Sequence, residues 1–327
     1  MNRRSSYFLI SVSNRGNLDL CLKYALAGFT NSINGLWTFL DVKVGDYVSF
    51  LYGAKARNLY VVEAKEAIMH AESAPPWPSV TFRQSGRTYY FPFRLSLKPI
   101  RQFEESLVRV EFSYVAENLL LRGGYRRTHF QADQTTLQAV SQMGGLWRGE
   151  SDGLSFADKT VFVPKFTRSR DKVSIPETFQ FQELILQGLI REYLSHESKL
   201  AELLEVCGLD VPAEGLEILG EKALPEGFVD IVIKEAAPAG ISRKIIIEVK
   251  TGSAQRKDLT QVTTYIDEIG DECAGGILIA REFPKKLVEQ AQNGQTKLIR
   301  YGLGELAEMT TPVSFEQLLD NLSLVRA

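Results

Sequence analysis

The chain has 327 residues, of which 44% are hydrophobic and 24% charged, a composition and length typical of globular protein with about two domains. No apolar run approaches the roughly 20 residues of a transmembrane helix, and the apolar segment after the basic N-terminus is too short for a signal peptide. The three cysteines, Cys21, Cys207 and Cys273, lie far apart without CxxC spacing, so neither a disulfide framework nor a structural zinc site is indicated. We therefore expect a cytoplasmic protein.

Charge is distributed unequally between the two halves of the chain. Residues 1–175 contain 23 Lys and Arg against 15 Asp and Glu, a net charge of +8, and the remainder contains 15 against 25, a net charge of −10. A basic half can bind a polyanion through counterion release, whereas an acidic half would be repelled unless its carboxylates hold metal. The asymmetry favours a division of labour between the halves, and uneven surface charge is the alternative interpretation.

Residues 7–175 are predicted to be mostly strand. Segments rich in aromatic and β-branched residues, separated by Gly, Asn and Pro, predict strands at 7–12, 47–52, 58–62 and 90–95. A helix is predicted over 18–27, with a tight turn at 44–46, and a compact, barrel-like sheet is the natural packing. The polar, basic stretch from Lys165 to Lys172, followed by Pro176, is interpreted as a linker over 165–176.

After this stretch the apolar spacing becomes helical. The pattern from Phe179 to Leu204 predicts two helices with a break at 195–198. Further elements are predicted as strands at 228–233 and 244–250, a helix at 258–268, a strand at 276–280, a helix from 285 and a strand at 297–301. This order predicts an α/β domain with a mixed sheet over residues 177–327.

Three charged residues stand in or at the end of apolar strands of this domain. Glu248 and Lys250 follow Ile245-Ile246-Ile247, and strand alternation puts both on one face. Asp230 lies inside the apolar strand 228–233, where a carboxylate must be paired or bound to metal. A hairpin would bring the three side chains together. Carboxylate oxygens are hard ligands that suit Mg²⁺, for which Mn²⁺ can substitute. Lys250 can position or deprotonate a nucleophile. A buried Glu–Lys ion pair is the alternative for Glu248 and Lys250.

Asp230 followed by Glu248-Val249-Lys250 resembles the PD-(D/E)xK nuclease superfamily of restriction and repair enzymes. The resemblance covers about residues 177–300 and departs from the motif at Val229, where the family has proline. It implies a restriction-endonuclease-like fold, metal ligands at Asp230 and Glu248, and a catalytic Lys250. It also implies supporting roles for an acid on the preceding helix, Glu183, and for a glutamine on the following one, Gln261, four residues before Tyr265.

The three tryptophans all lie in the basic half, and Trp77 stands between prolines. Aromatic rings can hold a base flipped from its stack, although for a single tryptophan a place in the core is the more common alternative. The order of the segments 7–14, 35–37, 43–50 and 90–94 resembles the EVE and YTH domains of the PUA-like superfamily, over about residues 6–130. The resemblance implies a domain over residues 1–164 that recognises modified bases, with residues 131–164 unassigned. It places Trp37 and Trp77 as walls of the base pocket and Ser13 with Asn14 at the base edge.

Basic residues of the first half are candidates for phosphate contacts, and a solvated basic loop is the equal alternative. The candidates are Arg126, Arg127, Lys165, Arg168 and Arg170.

A modified-base reader joined to a metal nuclease indicates a modification-dependent restriction endonuclease. The expected partner is double-stranded DNA carrying a modified base, and we expect a homodimer because two chains are needed to cut both strands at once. Two alternatives are a repair or RNA-processing nuclease with a PUA-like specificity domain, and a non-catalytic protein that binds modified nucleic acid.

Overall fold

A computed structural model of the chain describes residues 4–53, 55–69, 76–103, 128–154, 159–224, 227–292 and 294–327. The chain divides into two compact units. One comprises Ser5–Pro164 with Ser174–Phe179, and the other contains Lys165–Val173 and Gln180–Ala327. In the described residues no helix is long and apolar enough to cross a membrane.

The first unit contains three helices and ten strands in its described part. In chain order they are β1 (Tyr7–Ser11), α1 (Arg15–Tyr24), β2 (Leu26–Phe29), α2 (Ile33–Asp41), β3 (Tyr47–Tyr52), β4 (Lys55–Ile68), β5 (Val80–Thr81), β6 (Thr88–Tyr89), β7 (Phe93–Gln102), β8 (His129–Ala132), α3 (Gln134–Val140), β9 (Gly145–Leu146) and β10 (Val161–Phe162).

Most of these strands form one mixed sheet in the order β2-β7-β4-β3-β1-β8, with β9 added to β7 and β10 to β4. Only the β1–β3 pair is parallel among the neighbours along this path. The expected barrel-like closure is not found, because among the described strands β2 and β8 end the order without pairing to each other. Alternate residues of β1, including Tyr7 and Leu9, pack in a core with Phe130 and Val140.

The first helix differs from the prediction of a helix over 18–27. It starts at Arg15, because Asn14 caps it by accepting a hydrogen bond from the Asn17 N–H at 3.2 Å. It ends at Tyr24, because Ala25 takes a left-handed conformation with φ 45°. The next residues enter β2 and pair with β7. Helix α2 was not predicted, and its seven successive residues from Gly35 to Asp41 are all buried.

The second unit begins with strand β11, and β12 lies where the chain passes between the units. The elements from there are β11 (Lys165–Thr167), β12 (Thr178–Gln180), α4 (Glu183–Leu194), α5 (Glu197–Cys207), β13 (Leu216–Leu224), β14 (Gly227–Glu235), β15 (Lys244–Ser253), α6 (Arg256–Ile269), β16 (Cys273–Glu282), α7 (Lys285–Ala291), β17 (Thr296–Gly302), β18 (Val313–Ser314), α8 (Phe315–Asp320) and β19 (Ser323–Arg326).

The main sheet of this unit has the order β13-β14-β15-β16-β17-β19. Strands β13, β14 and β15 are successive antiparallel neighbours, whereas β15, β16 and β17 run parallel to one another. The predicted mixed α/β sheet is therefore confirmed, as are the helices and strands predicted after residue 179, within a few residues at their ends. Strand β13 was not predicted.

Helix α6 packs on the parallel part of this sheet and so fixes the strand that carries the charged residues. Its residues Val262 and Ile266 share a core with Val229, Ile246 and other buried aliphatic side chains. The helix approaches β16 so closely at Gly276 that a Cβ there would lie 2.5 Å from Val262. The other side of the sheet is covered by α4, which packs on β13 and β15.

The segment 165–176 is not the solvated linker that its composition suggested. Lys165 and Phe166 pair with β18 near the C-terminus. Both Phe166 and Thr167 are fully buried, and the Thr167 hydroxyl donates a hydrogen bond of 3.1 Å to the carbonyl of Met309. Residues 165–173 belong to the second unit and residues 174–176 to the first. Contacts with residues far away in the sequence therefore outweigh the polar composition of this segment.

Candidate active site

The pairing of β14 with β15 brings Asp230 and Glu248 together. Ile231 pairs with Ile247, and extending this antiparallel register by one position puts Asp230 opposite Glu248. Residues directly opposite on neighbouring strands present their side chains to the same face. Both side chains are buried, with relative exposures of 9% for Asp230 and 3% for Glu248.

Asp230 is held by the backbone of the neighbouring strand. Its Oδ2 accepts a hydrogen bond of 2.8 Å from the Val249 N–H, between the two charged residues of β15. Burial, followed by repulsion from Glu248, raises the pKa of Asp230 well above its ordinary value, while Lys250 and the Val249 N–H act in the opposite direction. A second cation beside Asp230, in addition to Lys250, would favour the ionised form of its carboxylate.

Lys250 bonds two of the acids, one on its own strand and one on helix α4. Its Nζ donates hydrogen bonds to Glu248 Oε1 at 2.8 Å and to Glu183 Oε1 at 3.1 Å. Burial acts to lower the pKa of Lys250, but the hydrogen bond and the attraction of Glu248, with those of Asp230 and Glu183, outweigh it and raise the pKa. The raised pKa favours the ammonium form of Lys250, which can donate hydrogen bonds to position neighbouring groups.

Glu183 and Gln261 lie on two different helices, and Glu183 contacts Lys250 whereas Gln261 contacts Tyr265. Glu183 is the first residue of α4, and its side chain is 40% exposed while it contacts Lys250. Gln261 donates a hydrogen bond of 2.9 Å to the hydroxyl of Tyr265, which donates one of 3.2 Å to the carbonyl of Phe228. The pKa of Tyr265 is raised by burial and then by the charges of Glu248 and Asp230, so its ring lies within electrostatic reach of both.

A divalent cation fits the donor set at Asp230 and Glu248. The second carboxylate oxygen of Glu248, Oε2, is buried and accepts no hydrogen bond. Such an oxygen normally finds a partner, and here Lys250 uses the other oxygen of the same carboxylate. Among the described residues no three His, Cys, Asp or Glu side chains group closely enough to bind metal by themselves. Two carboxylates suit Mg²⁺, which usually keeps several waters and takes oxygens from a bound phosphate.

Asp258 was missed by the sequence reasoning. It is buried at 3% exposure in the first turn of α6, where it accepts a hydrogen bond of 2.8 Å from the Gln255 N–H. Gln255 and Asp258 form a capping box at the start of α6. The sequence signal for Asp258 is this spacing, a capping residue followed three positions later by an acid. Its charge also contributes to the raised pKa of Glu248, after the larger effect of burial.

Both tryptophans of the predicted base pocket pack against side chains of the first unit. Trp37 is 3% exposed within α2, and its ring centroid lies 4.4 Å from that of His129 in an edge-to-face arrangement. Trp77 is 5% exposed and covers Gly28, where a Cβ would lie 2.3 Å from the indole. The guanidinium of Arg94 lies 5.5 Å from the Trp77 ring centre. These contacts are those of core residues, and the base pocket stays a prediction.

The two polar residues of the predicted pocket lie just before α1. Ser13 and Asn14 are both exposed, and the Asn14 side chain caps the helix. That role explains Asn14 without a ligand.

The five residues predicted to contact phosphate have different positions. Arg126 and Arg127 lie outside the described residues. Lys165 and Arg170 are exposed, so each is accessible to a polyanion. Arg168 is half-buried, donates a hydrogen bond of 2.8 Å from Nε to the Ala307 carbonyl, and lies 5.3 Å from the ring centre of Phe181. These contacts give Arg168 a structural role inside the second unit.

No protein-family model and no curated protein match the chain. The solved structures that match include a repair endonuclease from Pyrococcus abyssi, at 19% identity over 31% of this chain and 45% of that one, with a TM-score of 0.23. A complex of EndoMS with double-stranded DNA matches at 14% identity over 74% of this chain and 75% of that one, with a TM-score of 0.23. The MspJI restriction endonuclease with a 27-mer oligonucleotide matches at 11% identity over 95% and 66%, with a TM-score of 0.19.

All three of these proteins are endonucleases by name, and this chain spans less than half of the Pyrococcus abyssi protein. TM-scores of this size do not establish a common fold. The chemistry of this chain must therefore be sought in the geometry of its own site.

Proposed function

We propose that the chain is a Mg²⁺-dependent DNA endonuclease whose active centre consists of Asp230, Glu248 and Lys250, supported by Glu183 and Gln261. The observation that carries the proposal is the contact of Lys250 with two acids from different elements, 2.8 Å from Glu248 and 3.1 Å from Glu183, beside a buried Asp230. An isolated Glu–Lys ion pair would explain Glu248 and Lys250 alone. It leaves the burial of Asp230 without a purpose.

Each residue of this centre has a distinct role. Asp230 and Glu248 would hold Mg²⁺, which would supply positive charge to the scissile phosphate and activate water for attack. The Val249 N–H keeps Asp230 in position through the 2.8 Å hydrogen bond. Lys250 donates hydrogen bonds that orient the nucleophile and stabilise charge on phosphate oxygens. Glu183 holds the lysine ammonium in place, and Gln261 fixes the Tyr265 hydroxyl at the border of the site.

We further propose that the first unit licenses cleavage by binding a modified base, as in a modification-dependent restriction endonuclease. The support is the net charge of +8 over residues 1–175, from 23 Lys and Arg against 15 Asp and Glu, of which +3 falls in residues 5–164 of the first unit and +5 in residues 1–4 and 165–173 of the second. The substrate is double-stranded DNA carrying a modified base, read by base flipping into a pocket formed by Trp37 and Trp77 with Ser13 and Asn14. Arg126, Arg127, Lys165 and Arg170 are candidate phosphate contacts, and a homodimer would cut both strands.

A digestion panel tests this proposal. Methylated, hydroxymethylated and unmodified plasmids are incubated with the protein and Mg²⁺, Mn²⁺ or excess chelator, and parallel reactions contain structured RNA. We expect cleavage of modified DNA alone, with either metal, and no product in chelator. Cleavage of unmodified DNA or of RNA would support the repair or RNA-processing alternative. Binding of modified DNA without cleavage in any metal would support a non-catalytic binding protein, and activity in excess chelator would contradict the metal mechanism.

A further inference from the structure

A short hairpin of the first unit, formed by β5 and β6, lies outside the main sheet and forms a sheet of its own. Val80 pairs with Tyr89 and Thr81 with Thr88. The ladder continues into the loop, where the Phe82 N–H donates to the Arg87 carbonyl at 3.0 Å and the Gly86 N–H donates to the Phe82 carbonyl at 2.8 Å. We call residues 80–89 the β5–β6 hairpin.

The register gives this hairpin two chemically different faces. Residues opposite each other share a face, so Val80, Phe82, Arg87 and Tyr89 lie on one side of the ribbon. The rings of Phe82 and Tyr89 meet edge to face with centroids 5.4 Å apart. The opposite side carries Thr81 and Thr88, whose hydroxyls are 2.8 Å apart. The apolar side with its arginine is the aromatic face of the hairpin.

The aromatic face is open to solvent. Every residue from 78 to 88 is exposed, and Phe82 and Val80 are 55% and 48% exposed. Core packing therefore does not account for either side chain. Arg83 and Arg87 are exposed and residues 76–89 contain no Asp or Glu, so the hairpin itself carries a charge of +2 that attracts polyanions.

The base of the hairpin is held in a defined conformation. The Asn31 N–H donates to the Tyr90 carbonyl at 3.0 Å, and the Tyr90 N–H donates to Asn31 Oδ1 at 3.2 Å. The side-chain nitrogen of Asn31, Nδ2, also donates a hydrogen bond of 3.3 Å to the Thr88 carbonyl. An exposed phenylalanine on an anchored ribbon loses little entropy on binding, which favours a role in recognition.

We propose that the β5–β6 hairpin enters a groove of duplex DNA and inserts the Phe82 side chain into the base stack, with Arg83 and Arg87 on the phosphates beside it. A two-stranded ribbon fits a DNA groove, and apolar side chains inserted between base steps are an established way to unstack a duplex. The two exposed arginines of this ribbon, with no acid in residues 76–89, favour a polyanionic duplex over a protein partner. The inference rests on DNA being the substrate of the proposed function.

The test measures binding and base stacking without cleavage. Wild type, Phe82→Ala, Arg87→Gln and the control Val163→Ala are titrated in chelator into duplexes that carry 2-aminopurine, with or without a modified base. Val163 belongs to the same unit and is 58% exposed, so its variant controls for loss of an exposed aliphatic side chain. Melting temperatures of the four proteins should agree, because the substituted side chains are exposed.

We expect wild type and Val163→Ala to raise the 2-aminopurine fluorescence, and Phe82→Ala to lose that rise and bind about fivefold or more weakly. Arg87→Gln should reduce the salt dependence of binding by about one unit of slope. Unchanged affinity and fluorescence for Phe82→Ala would overturn the hairpin proposal while leaving the nuclease intact. The proposal would also be overturned if Phe82→Ala altered the sedimentation coefficient of the protein and left its DNA binding unchanged, because the hairpin would then be a contact between protein chains. If wild type neither binds nor cuts any DNA, the proposed function itself fails.

Discussion

Two buried clusters of ionisable residues, one in each unit, differ in how their polar atoms are satisfied. In the first unit both ring nitrogens of His129 have partners, Asp41 Oδ2 at 2.9 Å and Thr38 Oγ1 at 2.8 Å. In the second unit Glu248 keeps one buried oxygen without a partner, and Asp230 and Glu248 have raised pKa values. Burial alone therefore does not identify a functional site.

The difference lies in the balance of charge. The cluster at His129 pairs one acid with one base, so folding itself satisfies it, and it stabilises a single arrangement of α2 against β8. The cluster at Lys250 brings three acids to one ammonium and remains short of positive charge. A divalent cation with its phosphate substrate would supply that charge, which is why we assign catalysis to this cluster and structure to the other.

The largest expected effect comes from substitutions in the cluster at Lys250. Asp230→Ala and Lys250→Ala should each lower the cleavage rate on the order of 10³-fold or more, because metal binding or orientation of the nucleophile fails. Binding of modified DNA in chelator should stay within about twofold of wild type, since the basic residues of the first unit are untouched. Single-turnover cleavage and equilibrium binding measure the two effects. A wild-type cleavage rate in either variant would contradict the catalytic assignment.

Breaking the balanced cluster should instead lower stability. Asp41→Ala leaves His129 buried without its acid, a change that typically costs about 3–5 kcal/mol. Denaturant unfolding in chelator should show this loss, whereas cleavage per folded molecule should change little. Asp41→Asn serves as the matched control, because it keeps the shape of the side chain and part of the hydrogen bonding. A fully stable Asp41→Ala with impaired cleavage would reverse the roles assigned to the two clusters.

The tryptophans of the first unit test whether it also contains a ligand site. If Trp37 and Trp77 hold a flipped base, alanine at either position removes stacking worth about 1–3 kcal/mol and weakens binding of modified DNA by about 5- to 150-fold. If they are core residues, the same change costs about 3–5 kcal/mol of folding stability. Binding of modified DNA and binding of unmodified DNA are then weakened together. Melting curves and binding to modified and unmodified duplexes, measured on the same variants, distinguish these results.

Sequence reasoning predicted the second unit better than the first for a physical reason. Asp230 and Glu248 are conspicuous because each interrupts a run of aliphatic residues, and a hairpin register brings them face to face. Strand β11 could not be predicted, because Phe166 is buried through pairing with Val313, a residue far along the chain. Helix α2 has only nine residues, seven of them buried in succession. The order of strands in the first sheet depends on the same kind of distant pairing.

The smallest expected effect is on the stability of the metal-free protein, where Asp230→Asn should raise the melting temperature by a few degrees. Asparagine keeps the shape of the side chain and can accept the Val249 N–H, but it removes a buried carboxylate that repels Glu248. The folded-state pKa of Asp230 lies above its ordinary 3.8, so this group favours the folded state fully below pH 3.8. That contribution is lost as the pH rises through the folded-state pKa.

Thermal unfolding in chelator, followed from about pH 4 upward to pH 8, measures this effect. Wild type should lose stability across that range more steeply than Asp230→Asn, because only wild type must ionise Asp230 beside Glu248. Excess Mg²⁺ should stabilise wild type at pH 8 and leave Asp230→Asn nearly unchanged, since a ligand that binds the folded state raises its melting temperature. Parallel pH profiles with no response to Mg²⁺ would mean that the cluster is already satisfied, like the one at His129, and would remove the basis for placing metal there.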